Sequence, residues 1–135
     1  MSSNTSIVNG RRVASDTITH LDGNEIFVFG SNIHGMHGGG AAWYAHQNFG
    51  AEWGVGEGLT GSTYALPTME GKCSMAHAVR NFTECARQHP DLVFLVTAVG
   101  CGIAGYSPAD VAPLFADAAK LQNVFLPKVF WDVIG

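Results

Sequence analysis

Charged residues are scarce in this chain. Lys, Arg, Asp and Glu together make up 13% of its 135 residues, and seven Lys and Arg against eleven Asp and Glu leave a formal net charge of -4. Proteins grip polyanions with clustered Lys and Arg, so no nucleic-acid partner is expected through a basic face. Cysteine is equally sparse. Cys73, Cys85 and Cys101 are odd in number and lack CxxC spacing, which argues against both a disulfide framework and a thiolate zinc site. A reducing, cytoplasmic setting fits that usage. The first residues are polar, and no apolar run approaches the ~20 residues that cross a bilayer, so no membrane partner is expected.

Apolar residues, at 47%, suffice for the core of one domain spanning residues 1–135. Glycine is in excess, at 17 residues, and ten of these lie between Gly30 and Gly61. Such a stretch calls for positive φ angles or for bare backbone close to something else.

Along the chain, residues 1–24 carry the turn signals Asn9-Gly10 and Asp22-Gly23 around a short strand at Arg12 to Ala14. The run EIFVF at 25–29 reads as a buried strand that ends at Gly30. The loop SNIHGMHGGG follows, and then a helix from Gly40 that ends at Gly50. Residues 52–61 read as an irregular loop, and STYALP as a short strand stopped by Pro67. A helix is expected from a Ser74 cap to about Gln88, with Met75, Ala78, Val79, Phe82 and Cys85 on one face. LVFLVTA, residues 92–98, has the continuous apolar character of a strand buried on both faces. It runs into a second glycine loop, GCGIAGY, and Ser107-Pro108 then opens a helix expected to reach about Lys120. VFLPKVFWDV reads as a last strand interrupted by Pro127. Strands alternating with helices imply an α/β fold with a mostly parallel, mixed sheet covered on both faces.

In two of these units glycine follows a strand directly, which is where open α/β sheets place their ligands. Peptide N–H groups left bare by glycine, together with the start of the next helix, form a seat for phosphate, and two seats suit a diphosphate. The competing reading is that the glycines only make tight turns. Neither loop is GxxxxGK[ST], and the GxGxxG spacing from Gly54 precedes a strand, not a helix, so neither nucleotide fingerprint applies.

The residues Phe29-Gly30-Ser31-Asn32, then Gly38-Gly39-Gly40-Ala41-Ala42, and later Ala98-Val99-Gly100-Cys101-Gly102-Ile103-Ala104-Gly105-Tyr106 together resemble the macro domain family. In that family an Asn precedes a GGG turn at this spacing, and a GIxGY-type loop follows a buried strand. The resemblance covers the chain from about residue 16 onward and is most specific in the two loops. It implies a three-layer α/β/α sandwich that binds ADP-ribose or a derivative. Asn32 would hydrogen-bond the distal ribose, and Gly38, Gly39, Gly40 and Ala41 would lie against that ribose and its phosphate. Gly102, Ile103, Ala104 and Gly105 would wrap the diphosphate, with Gly100, Cys101 and Tyr106 of the same loop also at the ligand. Asp16, in DTIT, stands where the family has its adenine-binding Asp, and Trp131 where an aromatic stacks on adenine.

Two departures from the family pattern bear on catalysis. Ala42 replaces an Asp that many hydrolytic members carry just beyond the GGG turn, and Ala104 replaces an aromatic. Hydrolysis of an ADP-ribosyl linkage would then fall to Asn32 and His37, with substrate distortion and backbone donors. A non-catalytic reader of ADP-ribose signals is the alternative, and a partner-binding domain with empty loops is a third. His34, His37 and His46 lack the spacing of a zinc signature, so neither metal nor other cofactor is expected. Cys101 reads either as a nucleophile within reach of the sugar or as a small loop filler. Glu52 and Glu57 read either as solvated carboxylates or as the nearest replacements for the missing Asp, and nothing in the pattern specifies an oligomeric state.

Overall fold

The computed structural model describes residues 2–135. Seven strands form one mixed sheet: β1 (Thr5–Val8), β2 (Arg11–Ala14), β3 (Glu25–Ser31), β4 (Gly58–Thr60), β5 (Thr63–Pro67), β6 (Val93–Val96) and β7 (Val124–Pro127). Their spatial order is β1-β2-β7-β6-β3-β5-β4. The four inner pairings are parallel, and the two edge pairings, β1 with β2 and β4 with β5, are antiparallel. The helices are α1 (Gly40–Asn48), α2 (Lys72–Gln88), α3 (Pro108–Val111) and α4 (Lys128–Ile134). None of them is long and apolar enough to cross a membrane.

β3 and β6 lie side by side at the centre, with Phe27 opposite Leu95 and Val28 opposite Val96. The chain leaves β3 through α1 toward β5, and leaves β6 toward β7 on the other side. Two neighbouring strands whose connections diverge leave a crevice beyond their carboxyl ends, and ligands of open α/β sheets bind in such a crevice.

Alternation along β3 divides the core. Ile26 and Val28 point into one cluster, with Tyr64, Leu66, Phe94, Val96 and the apolar face of α2, while Phe27 and Phe29 point into another, with Ala45 of α1, Ala65 and Leu95. In the first cluster Phe82 meets Tyr64, Phe94 and Phe115 at ring separations of 5.1, 5.5 and 6.1 Å. Each fully buried side chain of this size contributes about 1.5–3 kcal/mol. In the second, small Ala45 lets α1 approach the sheet, and Phe49 packs at 5.1 Å from Phe27.

Several elements differ from the sequence expectations. β1 and β4 were not anticipated. β1 closes a hairpin over Asn9 and Gly10, whose φ angles of 52° and 76° suit a type I′ turn. α2 starts at Lys72 behind Gly71, so Ser74 lies inside the helix and does not cap it. The helix opened by Ser107-Pro108 lasts only to Val111 and is followed by short 3-10 turns at Ala112–Phe115 and Ala118–Lys120. Pro113 has no N–H to donate to the preceding turn, which ends regular α-helical bonding there. The last strand stops at Pro127, and KVFW turns into α4.

Candidate functional site

The crevice beyond β3 and β6 holds two cavities of about 670 and 750 Å³. The first is lined by Ser15 to Thr19, Phe27, Tyr44, Pro127 and Val129, and the second by the loops after β3, β5 and β6. Gly40, Ala41, Thr97 and Ala98 line both, so the two cavities share one wall. That wall is fixed from beneath. The Thr97 hydroxyl and N–H both donate to the Val28 carbonyl, at 2.7 and 3.2 Å, which ties the exit of β6 to β3.

The two glycine loops converge on the second cavity. Asn32, Gly38, Gly39, Gly40, Ala41 and Ala42 reach it from one side, and Gly102, Ile103 and Ala104 from the other. Among the described residues, the amides of Gly38, Gly39, Gly102, Ile103 and Ala104 donate to no protein acceptor, which leaves them open to solvent or to an anion. Packing gives no reason for three of the glycines. A Cβ built at Gly38, Gly39 or Gly102 meets nothing within 4 Å, and none of the three has a positive φ. The tight-turn reading therefore fails at these positions, where bare backbone leaves room at the cavity wall.

Asp16 lines the first cavity, on the segment that follows β2. Its segment is pinned at both ends. Ile18 is buried in the second core cluster, and Ser15 Oγ accepts from the Thr17 N–H at 3.1 Å. Further along, buried Glu25 accepts from Asn4 Nδ2 and from the Asp22 N–H, each at 2.9 Å, while Asn4 also donates to the His20 carbonyl at 2.8 Å.

Other expected site residues serve the scaffold. Trp131 is 8% exposed and belongs to the first core cluster; its indole N–H donates to the Arg12 carbonyl at 2.9 Å. It lies on α4, not at a strand end, and lines neither cavity, so it has no face for an adenine. His37 is fully buried under Trp53 and beside His46, edge-on to Phe29 at 5.2 Å. Its Nε2 lies 3.0 Å from the Glu52 carbonyl, Nδ1 has no partner, and the ring lines neither cavity. Fully buried and outside both cavities, it is not placed to carry a proton to a ligand there, and it ties its own loop to the 52–53 segment. Asn32 borders the second cavity, but both ends of its amide close its own loop, through the Met36 carbonyl and N–H at 3.1 Å each.

Gly100, Cys101, Gly105 and Tyr106 line neither cavity. They close the second loop on itself through Tyr106 N–H to the Gly100 carbonyl, at 2.9 Å, and Gly105 N–H to the Gly102 carbonyl, at 3.0 Å. Cys101 packs against the first core cluster. Burial, and then the Asp110 carboxylate, push its thiol above the ordinary value of 9.0, the wrong direction for a nucleophile. Glu52 and Glu57 also lie outside both cavities, and Glu57 accepts from Asn81 at 3.2 Å.

The sequence reading assigned no ligand role to Thr68 and Met69 after β5, or to Thr97 and Ala98 after β6, although Ala98 opens the second motif. Their only signal was position, since each pair directly follows a strand that flanks β3 or lies next to it. No group of three His, Cys, Asp or Glu among the described residues could hold a metal ion. Comparison of the chain with family models, with curated proteins and with solved structures finds no match.

Proposed function

We propose that this chain binds ADP-ribose or a related ADP-ribosyl nucleotide along the joined cavities, on a three-layer α/β/α, macro-domain-like scaffold. The observation that carries the reading is the shared wall. A ligand with two bulky ends and a narrow anionic middle fits two chambers that meet over Gly40, Ala41, Thr97 and Ala98. The adenosine half lies in the first chamber, where Asp16 accepts from the adenine amino group. The diphosphate crosses the wall beside the unpaired loop amides, and the distal ribose enters the second chamber.

Binding without hydrolysis fits the second chamber best. Its lining contains no ionisable side chain, and Ala42 lies in it where a carboxylate would orient water. Calorimetry with ADP-ribose tests the reading. Micromolar binding is expected, weakened about tenfold in Asp16→Asn, which corresponds to about 1.4 kcal/mol, with no turnover of an ADP-ribosylated substrate. Absent or millimolar binding would favour a partner-binding domain with empty loops.

A further inference from the structure

Resting on that reading, the two chambers are unequally matched to the two halves of ADP-ribose. The two chambers are of similar size, about 670 and 750 Å³, whereas the first receives a purine and its ribose and the second a single pentose. A space of similar size therefore faces the smaller half, which leaves room beyond the anomeric carbon of the distal ribose. Three large apolar side chains stand in water around that room. Ile103 is 93% exposed, Met36 59% and Met69 47%, and all three line the second cavity. Apolar side chains gathered at a cleft mouth mark a contact surface, and the flexible thioether of methionine adapts well to a flat ring.

Charge narrows the choice further. With no ionisable side chain in its lining, the chamber offers neither a counter-ion for a cationic ring nor a cation for an acid. Glu70, next to Met69, accepts from the Ile33 N–H at 3.1 Å and does not line the chamber. We infer that the second chamber receives an uncharged planar ring borne on the anomeric carbon of the distal ribose, so that the ligand is a dinucleotide with its second ring among Met36, Met69 and Ile103. The association is non-covalent.

Three soluble probes share the ADP-ribose frame: ADP-ribose has no ring at the anomeric carbon, oxidised nicotinamide dinucleotide carries a cationic one, and the reduced form a neutral one. Titration of the full chain at one ionic strength should give affinity for the reduced form at least tenfold above that for ADP-ribose, and above that for the oxidised form. The dihydronicotinamide fluorescence should rise and shift to the blue as its ring leaves water. In Met36→Ser combined with Ile103→Ser, the ratio of reduced-form to ADP-ribose affinity should collapse toward one and the fluorescence change should disappear. ADP-ribose binding as tight as the reduced form, or tighter binding of the oxidised form, would overturn the inference while leaving the nucleotide reading intact. Failure of all three probes to bind would overturn both.

Discussion

Two sets of glycines in this chain look alike as text and differ in what surrounds them. Gly35 and Gly56 sit where the segment 32–37 crosses the segment 52–57. A Cβ on Gly35 would run into the Gly54–Val55 backbone, and one on Gly56 into the Asn32 and Ile33 carbonyls. The crossing is stitched by Gly54 N–H to the Gly35 carbonyl at 2.9 Å, with His37 beneath it. Gly39 and Gly102, at the cavity wall, face open space. One set is glycine because the protein fills the position of a side chain, the other because the protein leaves that position free. Stability should therefore respond to the first set and ligand affinity to the second.

The sharpest way to break this contrast is Gly56→Ala. Backbone carbonyls cannot move aside as a flexible side chain would, so overpacking of about 3 kcal/mol is expected, seen as a fall in melting temperature of about 10 °C. A melting curve like that of the wild type would show that the crossing is loose. Gly39→Val is the converse. Its φ of -161° is extended backbone open to any residue, so melting should shift by less than about 1 kcal/mol, while ADP-ribose affinity drops about a hundredfold as the side chain fills the cavity wall. Destabilisation without loss of affinity would reverse the assignment.

The smallest expected effects concern the cap of α3, where the second loop ends, and Cys101 within that loop. Asp110 accepts from the Ser107 N–H at 3.2 Å and the Ser107 hydroxyl at 3.0 Å, and these bonds hold its carboxyl below the ordinary 3.8. A lowered value in the fold means that this stabilisation is present above 3.8 and disappears as pH falls through the lower folded value. Asp110→Asn should flatten the acid limb of a stability profile slightly. Near neutral pH, alkylation should reach Cys73, which is exposed, well before Cys101, whose raised thiol stays protonated. Equal rates would mean that the second loop opens readily.

Legibility followed burial. EIFVF and LVFLVTA were readable because continuous apolar runs have few uses outside a buried strand, and α2 because five apolar positions recur at helical spacing. β1 was not, since three of its four residues are exposed at the sheet edge and so carry no alternation. VFLPKVFW misled because its apolar residues serve first a strand and then a helix that both face the same core. In the site, the family resemblance pointed to Asp16, Asn32, Gly38, Gly39, Gly40, Ala41, Gly102, Ile103 and Ala104, which line the two cavities, and to Gly100, Cys101, Gly105 and Tyr106, which do not. The identity of His37 says nothing about which way its ring turns, and a residue beside a glycine turn can face the cleft or lie beneath it. The same ambiguity applies to Trp131.

On the proposed nucleotide reading, the partition formed by Gly40, Ala41, Thr97 and Ala98 would make the cleft a bidentate receptor. A mononucleotide and a sugar phosphate offered separately each forfeit their own freedom of motion, whereas one molecule straddling the ridge does so once, and its second half arrives at a high effective concentration. Selectivity for the intact ligand over its breakdown products would then come from the distance across four small residues, without a dedicated side chain to read the linkage.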